Sequence, residues 1–326
     1  MFSIASPRQL KRAGIVGMNR RNVELIARNN PRHLYPLVDD KLRTKQLAQD
    51  HGLDAPALIG VVRQTGQIRE LQDFLKPHAQ FVIKPARGSG GKGILVVAGR
   101  DGSKYVKPSG GLIGFDLVSR HINNILSGLF SLGGKPDVAM IESMIDFDPV
   151  FEGYTFEGVP DIRVIVYKGF PLMAMTRLST SASDGKANLH QGAVGVGLDI
   201  ATGKALRAVQ NGAPVSTHPD TGADLAGIAV PDWPAVILLA ARCQVASGLG
   251  YLGADIVLDR KAGPQVLELN ARPGLAIQVA NGQGMAWRLD AVEELIAGNG
   301  APQGPAERAE WAMQHFTGPA GGVAKE

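Results

Sequence analysis

Cysteine is nearly absent: Cys243 is the one such residue in 326. That excludes an internal disulfide, and its setting in an apolar helical pattern reads as a buried thiol in a reducing, cytoplasmic compartment. Long hydrophobic runs are missing too. The longest apolar stretch, 235–246, contains Arg242 and is too short to span a bilayer. The opening Met1-Phe-Ser-Ile-Ala-Ser-Pro7 has no charged region leading into an apolar run, so no secretory signal is expected. No internal repeat is visible, and no Ser/His/Asp arrangement suggests a protein nucleophile. What remains is an ordinary soluble composition, 44% hydrophobic, long enough for one large domain or two smaller ones.

The net charge of +4 is uneven. Residues 1–38 carry seven Lys and Arg against one acid, leaving 27 bases against 29 acids in the rest. Such a basic arm suits an acidic substrate, nucleic acid, anionic lipid or an acidic partner; the plainer reading is a solvated helix face. It lacks the interleaved aromatics that single-stranded nucleic acid would use. Within it, Val23, Ile26 and Ala27 hint at one short helix before Pro31.

The most informative stretch is Gly253 to Gly274. Two runs rich in Val, Ile and Leu flank Arg260-Lys-Ala-Gly263, the pattern of a β-hairpin. If those four residues are the loop, Asp259 pairs with Pro264 and Asp255 falls opposite Glu268. Side chains alternate along a strand, so Asn270 joins their face. Like charges held this close need compensation. Hard oxygen donors of this kind suit Mg²⁺, completed by water and substrate phosphate, with Mn²⁺ as an alternative. A solvent-facing hairpin with wet acids is the other reading.

Upstream, Asp39 or Asp40 caps a helix that carries Lys41 in its first turn and ends at Gly52. A lysine at that end opposes the helix dipole, which hints at an anion, although a solvated lysine also satisfies the pattern. Ile68, Leu71 and Leu75 mark a second amphipathic helix. Phe81 to Ala86 reads as a strand, Arg87-Gly-Ser-Gly-Gly-Lys-Gly93 as a glycine-rich loop, and Ile94 to Val97 as another strand. Gly88, Gly90 and Gly93 match G-x-G-x-x-G, but a β-branched run follows instead of a helix, so a dinucleotide fingerprint is excluded; P-loop spacing is absent as well. The loop is either a plain turn or a hairpin tip whose N–H groups fold over phosphate, with Lys84 and Lys92 supplying charge.

Leu117 to Leu129 keeps helical spacing, with His121 on the apolar side as a core histidine whose hydrogen bond is satisfied. Val138 to Ile145 is a strand bearing Glu142. Asp161–Tyr167 and Phe170–Arg177 form a second hairpin about Lys168-Gly169, and Arg163 and Arg177 in those strands need partners. Gly195 to Ile200 alternates as a strand. Asp232, Pro234 and Gly248 bracket an Ala- and Leu-rich helix, and Met285 to Ala297 is a last helix closed by Gly298. Beyond Ala301, the composition suggests a mobile tail or a weakly packed helix around Trp311.

Taken together, the motifs resemble the ATP-grasp superfamily. Asp39-Asp-Lys-Leu-Arg-Thr-Lys45 and Val82-Ile-Lys-Pro85 look like motifs of D-alanyl-D-alanine ligases. Asp161-Ile-Arg163, Ala187-Asn-Leu-His190 and Glu268-Leu-Asn-Ala-Arg-Pro-Gly274 look like signatures of RimK-related alpha-L-glutamate ligase-like proteins, and the likeness covers roughly residues 39–297. The resemblance implies an α+β fold in which two lobes clasp ATP, and an ATP-dependent carboxylate–amine ligase working through an acyl phosphate. It assigns Lys41 and Lys84 to phosphate oxygens, and Gly88, Ser89, Gly90, Gly91, Lys92 and Gly93 to a lid. Glu142 with the backbone of Ser143, Met144 and Ile145 would meet adenine, with Asp148 or Glu152 near the ribose and Lys186 beside the nucleotide. Asp255, Glu268 and Asn270 would hold Mg²⁺. Arg163, Arg177, Asn188 and Arg272 would face the reacting groups.

Two departures stand out. About forty residues precede Lys41, so a full N-terminal substrate domain is not expected. Lys186 stands where RimK-type enzymes tend to have arginine, a point charge in place of a bidentate one. The expected organisation is a basic arm over 1–38, a small lobe with the glycine-rich lid over 39–140, a core lobe with the metal site over 141–300, and a tail over 301–326. A partner protein or a second copy docking on the arm would supply the missing wall. Substrates would be a small-molecule or peptide carboxylate and an amine, glutamate among the candidates, with no nucleic acid and no membrane insertion. The rival readings are a nucleotide-binding regulatory module and a kinase-like relative acting on a hydroxyl.

Overall fold

In the computed structural model, which describes residues 6–88 and 90–318, two antiparallel sheets carry the architecture. The smaller one uses β1 (Leu58–Val62), β2 (Phe81–Pro85) and β3 (Leu95–Val97). Three short strands follow, β4 (Gly99–Asp101), β5 (Lys104–Val106) and β6 (Leu112–Ile113), and form a separate three-stranded sheet. Then β7 (Ala139–Glu142) returns to the first sheet, giving the order β1-β7-β2-β3. The helix Phe115–Leu126 buries Val118, Ile122 and Ile125, one stripe of its surface, against Ile83 and Phe81 of β2. Ile68, Leu71 and Leu75 complete this core as the sequence spacing requires.

The larger sheet has seven strands: β8 (Asp161–Tyr167), β9 (Phe170–Leu178), β10 (Val194–Leu198), β11 (Ala205–Gln210), β12 (Ala213–Val215), β13 (Tyr251–Asp259) and β14 (Gly263–Asn270), in the order β12-β11-β10-β9-β8-β13-β14. Lys168 and Gly169 link β8 to β9 with φ of 48° and 88°, the two positive values of a turn whose twist matches the flanking strands. The helix Trp233–Ser247 packs on this sheet and stops where Gly248 turns left-handed at φ 68°. Cys243 is fully buried in it, and burial pushes its thiol up to about 12. Strands β1, β4 to β6, β11 and β12 are additions to the sequence reading.

Both chain ends are packed more firmly than their composition suggests. The basic arm is folded onto the larger lobe: Val16, Leu25, Ile26 and Val38 are buried in its core, while Val23 is exposed. Buried Asn30 explains the attachment. Its side-chain amide donates to Tyr251 O (2.6 Å) and Ala271 O (2.9 Å), and its Oδ1 accepts from Tyr251 N (2.9 Å). One side chain thus clamps the start of β13 and the end of β14. Of the two readings of the tail, the helix around Trp311 is the one the structure has, Pro305–His315, and it is well packed rather than weakly packed. It buries Ala309, Ala312 and Phe316 and sets Trp311 edge-on to Phe170. Small alanines let that helix approach closely, a signal that composition alone disguises. Among the described residues no helix is long and apolar enough to cross a membrane.

Candidate active site

The two sheets meet at a cleft, and the β13–β14 hairpin forms its floor. Asp255 does pair with Glu268 and Gly253 with Asn270, but by a different route from the count above. The loop is Arg260 to Ala262, so Asp259 pairs with Gly263, whose φ of +72° suits the residue after a three-residue turn. A bulge between Asp255 and Ile256 then adds one residue on β14 and restores the pairing. Two one-residue shifts cancel.

Within the protein, these acids are compensated by side chains of opposite charge, Asp255 by arginines of the neighbouring strands. Asp255, 3% exposed, is held by protein cations: Arg163 donates through Nε and Nη2 at 2.7 Å each, and Arg177 Nη2 donates at 2.8 Å. Strand register explains it, since Arg163 lies directly across from Asp255 on β8, and Asp161 lies across from Arg177 on β9. Arg177 also donates to both oxygens of Asp161. Burial raises Asp161 to about 6 despite that partner. Burial acts in the same sense on Asp255, but Arg163 and Arg177 overcome it and hold the carboxyl below the usual range. Glu268 is more open, with a side chain 40% exposed, and pairs with Lys41 Nζ at 3.3 Å through Oε1. Asn270 turns its Oδ1 to Arg272 N (2.8 Å).

Lys41 reaches this floor because Asp40 caps its helix, Lys41–Asp50, accepting from Leu42 N at 3.0 Å. Lys41 N donates to Ala86 O, and Nζ donates to Gly88 O (2.8 Å), which ties the helix start to the root of the glycine-rich loop. One turn on, Lys45 shares that inward face. It is buried, donates to Pro56 O (2.6 Å) and lies 3.1 Å from Glu142 Oε1, while Lys84 pairs with Glu142 Oε2. Burial lowers Lys45 from the usual lysine value against the pull of Glu142. The sequence reading passed over Lys45; its spacing of four from Lys41 was the available signal. Glu142 Oε1, although charge-compensated, receives no hydrogen bond.

Of the lid, Ser89 lies outside the described residues. Gly90, Gly91 and Gly93 hold φ of 61°, 73° and 76°, which only glycine adopts freely. A Cβ on Gly91 would touch the Lys186 stem at 3.4 Å, so the loop tip spans to the other lobe. Its root is fixed by His121, whose Nε2 bonds Gly93 O at 2.9 Å. Lys92 is exposed, and Lys186 pairs with exposed Asp184 (2.8 Å). At the hinge, Ser143 Oγ accepts from Ala57 N (3.0 Å), and Met144 and Ile145 follow half-buried. Asp148 caps a short turn by accepting from Val150 N (2.8 Å), and Glu152 is engaged by Arg260. Asn188 also folds onto its own turn, accepting from His190 N. Arg272 donates to Asp39 at 2.8 Å and lies over the Tyr35 ring at 5.1 Å.

Lys41, Lys45, Lys84 and Glu142 line a narrow pocket. It is continuous through Lys41 with a cleft of about 760 Å³ bordered by Glu268, Asn270, Arg272, Arg87 and the arm residues Arg32 and Tyr35. Lys41 stands at the junction.

A family model described as sugar-transfer associated ATP-grasp matches residues 20–294. No curated protein matches the sequence. Similar solved structures include D-cycloserine synthetase DcsG (18% identity, 88% of this chain and 73% of that one, TM-score 0.45). They also include the ATP-grasp ligase PsnB complexed with minimal precursor, Mg and ADP (15%, 82% and 61%, 0.42). A third is D-alanine–D-alanine ligase from Bacillus anthracis (14%, 80% and 67%, 0.42). The chain therefore spans about three fifths to three quarters of the length of these structures.

Proposed function

The chain belongs to the sugar-transfer associated ATP-grasp family, and from that premise we propose that it is an ATP-dependent carboxylate–amine ligase of RimK-like chemistry. The observation that carries this reading is the position of Lys41, which lines both a narrow basic pocket and an open cleft bordered by Glu268 and Asn270 of β14. Transfer of a phosphoryl group needs positioning and neutralised charge rather than a protein nucleophile, and that is what this site offers.

A substrate carboxylate oxygen attacks the γ-phosphorus, the bond to the β–γ bridging oxygen breaks, and ADP leaves. The amine nitrogen then attacks the acyl carbon, inorganic phosphate leaves, and the amine gives up a proton. In this scheme Lys41 and Lys84 meet phosphate oxygens, and the backbone of Gly88 to Gly93, with Lys92 and Lys186 on either side, covers them and excludes water. Glu142 Oε1, buried and beside Lys45 but with no hydrogen bond of good geometry, fits the exocyclic amine of adenine, next to the backbone of Ser143 to Ile145. Asp148 stands near the ribose. Arg163, Arg177, Asn188 and Arg272 serve the reacting phosphoryl and acyl groups.

The donor set suits Mg²⁺ only in part. Glu268 Oε2 has no partner among the described residues, and Glu268 shares its strand face with the Asn270 amide, whereas Asp255 is engaged by two guanidiniums. Glu268 and Asn270 would hold the ion, and Asp255 would join by releasing an arginine. When bound, the ion neutralises phosphate charge.

The test is an ADP-release screen over amino acids and acidic peptides with amines, with product masses read by mass spectrometry. ADP release that needs both a carboxylate and an amine supports the ligase; release with a polyol points to a kinase, and no release to a binding module. Glu268→Gln should lower turnover by about 10²–10³-fold, the range for loss of one preorganised charge-stabilising group. Near-normal turnover would remove the metal assignment.

A further inference from the structure

The wide cleft has a surplus of positive charge that the phosphoryl-transfer scheme does not use. Five cations border it, Arg32, Lys41, Arg43, Arg87 and Arg272, against three carboxylates, Asp39, Asp40 and Glu268. Each carboxylate is already matched: Lys41 with Glu268 (3.3 Å), Arg87 with Asp40 (3.1 Å) and Arg272 with Asp39 (2.8 Å). Arg32 and Arg43 remain, and neither guanidinium has a hydrogen-bond or ion-pair partner among the described residues.

Both sit on a fixed wall. Arg32 belongs to the arm segment just after Asn30, whose buried amide pins that segment to Tyr251 and Ala271. Arg43 is in the first turn of the capped helix that presents Lys41. Tyr35 of the arm and Asp39 just after it hold the Arg272 guanidinium by ring contact and ion pair. The arm and the helix it leads into thus do two things at this cleft: they hold the Arg272 guanidinium through Tyr35 and Asp39, and they leave the Arg32 and Arg43 guanidiniums free on its wall.

We infer that residues 30–43 build the site for the second substrate, and that Arg32 and Arg43 receive an anionic group, a carboxylate or a phosphate, which that substrate carries in addition to its reacting group. The inference rests on the ligase reading for the word substrate, but the anion site itself is independent of turnover. Guanidiniums match both anions with paired N–H donors, so the chemistry is shared and the probes must separate them.

The test is isothermal titration of the full chain with malonate and, separately, with methyl phosphate, on the wild type, R32Q, R43Q and the double variant. R12Q, an exposed arm arginine away from the cleft, is the control. Circular dichroism confirms folding, which these exposed positions should not disturb. The wild type should bind at least one probe, and the tighter one identifies the group. Each single variant should weaken binding on the order of tenfold, as expected for loss of a charged hydrogen-bond donor, with R12Q unchanged.

Binding of ATP with Mg²⁺ should be the same in all five proteins. No anion binding by the wild type, equal binding by the double variant, or an equal loss in R12Q overturns the inference. Loss of ATP binding in the double variant overturns it too, because the arginines would then serve the nucleotide. Failure of the wild type to bind ATP sinks the ligase reading and leaves the anion site standing.

Discussion

Glu142 lines the narrow pocket and Glu268 the wide cleft, and both pair with lysines, yet water reaches only one. Glu142, with its side chain 3% exposed, lies between Lys45 and Lys84 in the floor of the hinge. Glu268 is 40% exposed, and its lysine, Lys41, lends a second proton to the Gly88 carbonyl. At the rim, Arg272 and Asp39 are open on both sides, while Arg87 is open and its partner Asp40 is largely covered. A sealed carboxylate cannot exchange its partners cheaply, because each freed charge would be stranded in a low dielectric. A wet one can, because water takes over what the partner leaves. The difference separates a part of the site that holds its shape from a part that a ligand can rearrange.

Removing the sealed acid should break this contrast most visibly. Glu142→Leu strands two buried ammonium groups and should cost about 3–5 kcal/mol in urea denaturation. A loss no larger than that of a rim pair would erase the distinction.

The sheet network offers a pH test of the same idea. Burial raises Asp161 to about 6 in the folded state from an ordinary value of 3.8, so the folded protein binds more protons than the unfolded chain between those pH values. Stability should therefore fall as pH rises from about 4 to 6, and Asp161→Asn should flatten that slope. Denaturation midpoints across this range, compared between the two proteins, decide it; parallel curves would reject the raised value.

At the rim, Arg272→Ala should cost less than about 1 kcal/mol of stability, and less still in high salt, while ADP release in the ligase assay falls sharply. A large thermal destabilisation would show that the rim is structural after all.

The smallest effect belongs to a buried group with no ion pair. Cys243, its thiol pushed up to about 12 by burial, should resist iodoacetamide in the folded protein and react once urea unfolds the larger lobe. Ready alkylation under native conditions would mean that this core opens more freely than its packing suggests.

Local chemistry was legible in the sequence where it is local in space. The Asp40 cap, the β8–β9 turn at Lys168-Gly169 and the helix ended by Gly248 all follow from neighbouring residues, and the structure has them. The Asp255–Glu268 pairing was reached by counting, but the real path runs through a shorter loop and a bulge, whose need arises only when β13 must also pair with β8. Lys45 and Asp161 stand in the motifs but carry no legible role there, because their importance depends on partners far along the chain, Glu142 and Arg177. How firmly the arm and the tail pack was not legible, because basic and small residues give little sign of order until another surface buries their few apolar positions.

By itself, the sequence determined which short segments form helices and strands, and that oxygen donors, lysines and a flexible glycine loop occur in an order suited to phosphate chemistry, since caps, turns and periodicity act over a few residues. Only the tertiary structure decided which charges neutralise one another and which stay free. Strand order put Arg163 and Arg177 on Asp255, and the folding back of the arm set Arg32 on the cleft that Arg43 of the next helix also borders. Electrostatic partners are chosen by distance and burial, and both are set by residues that are remote in the chain.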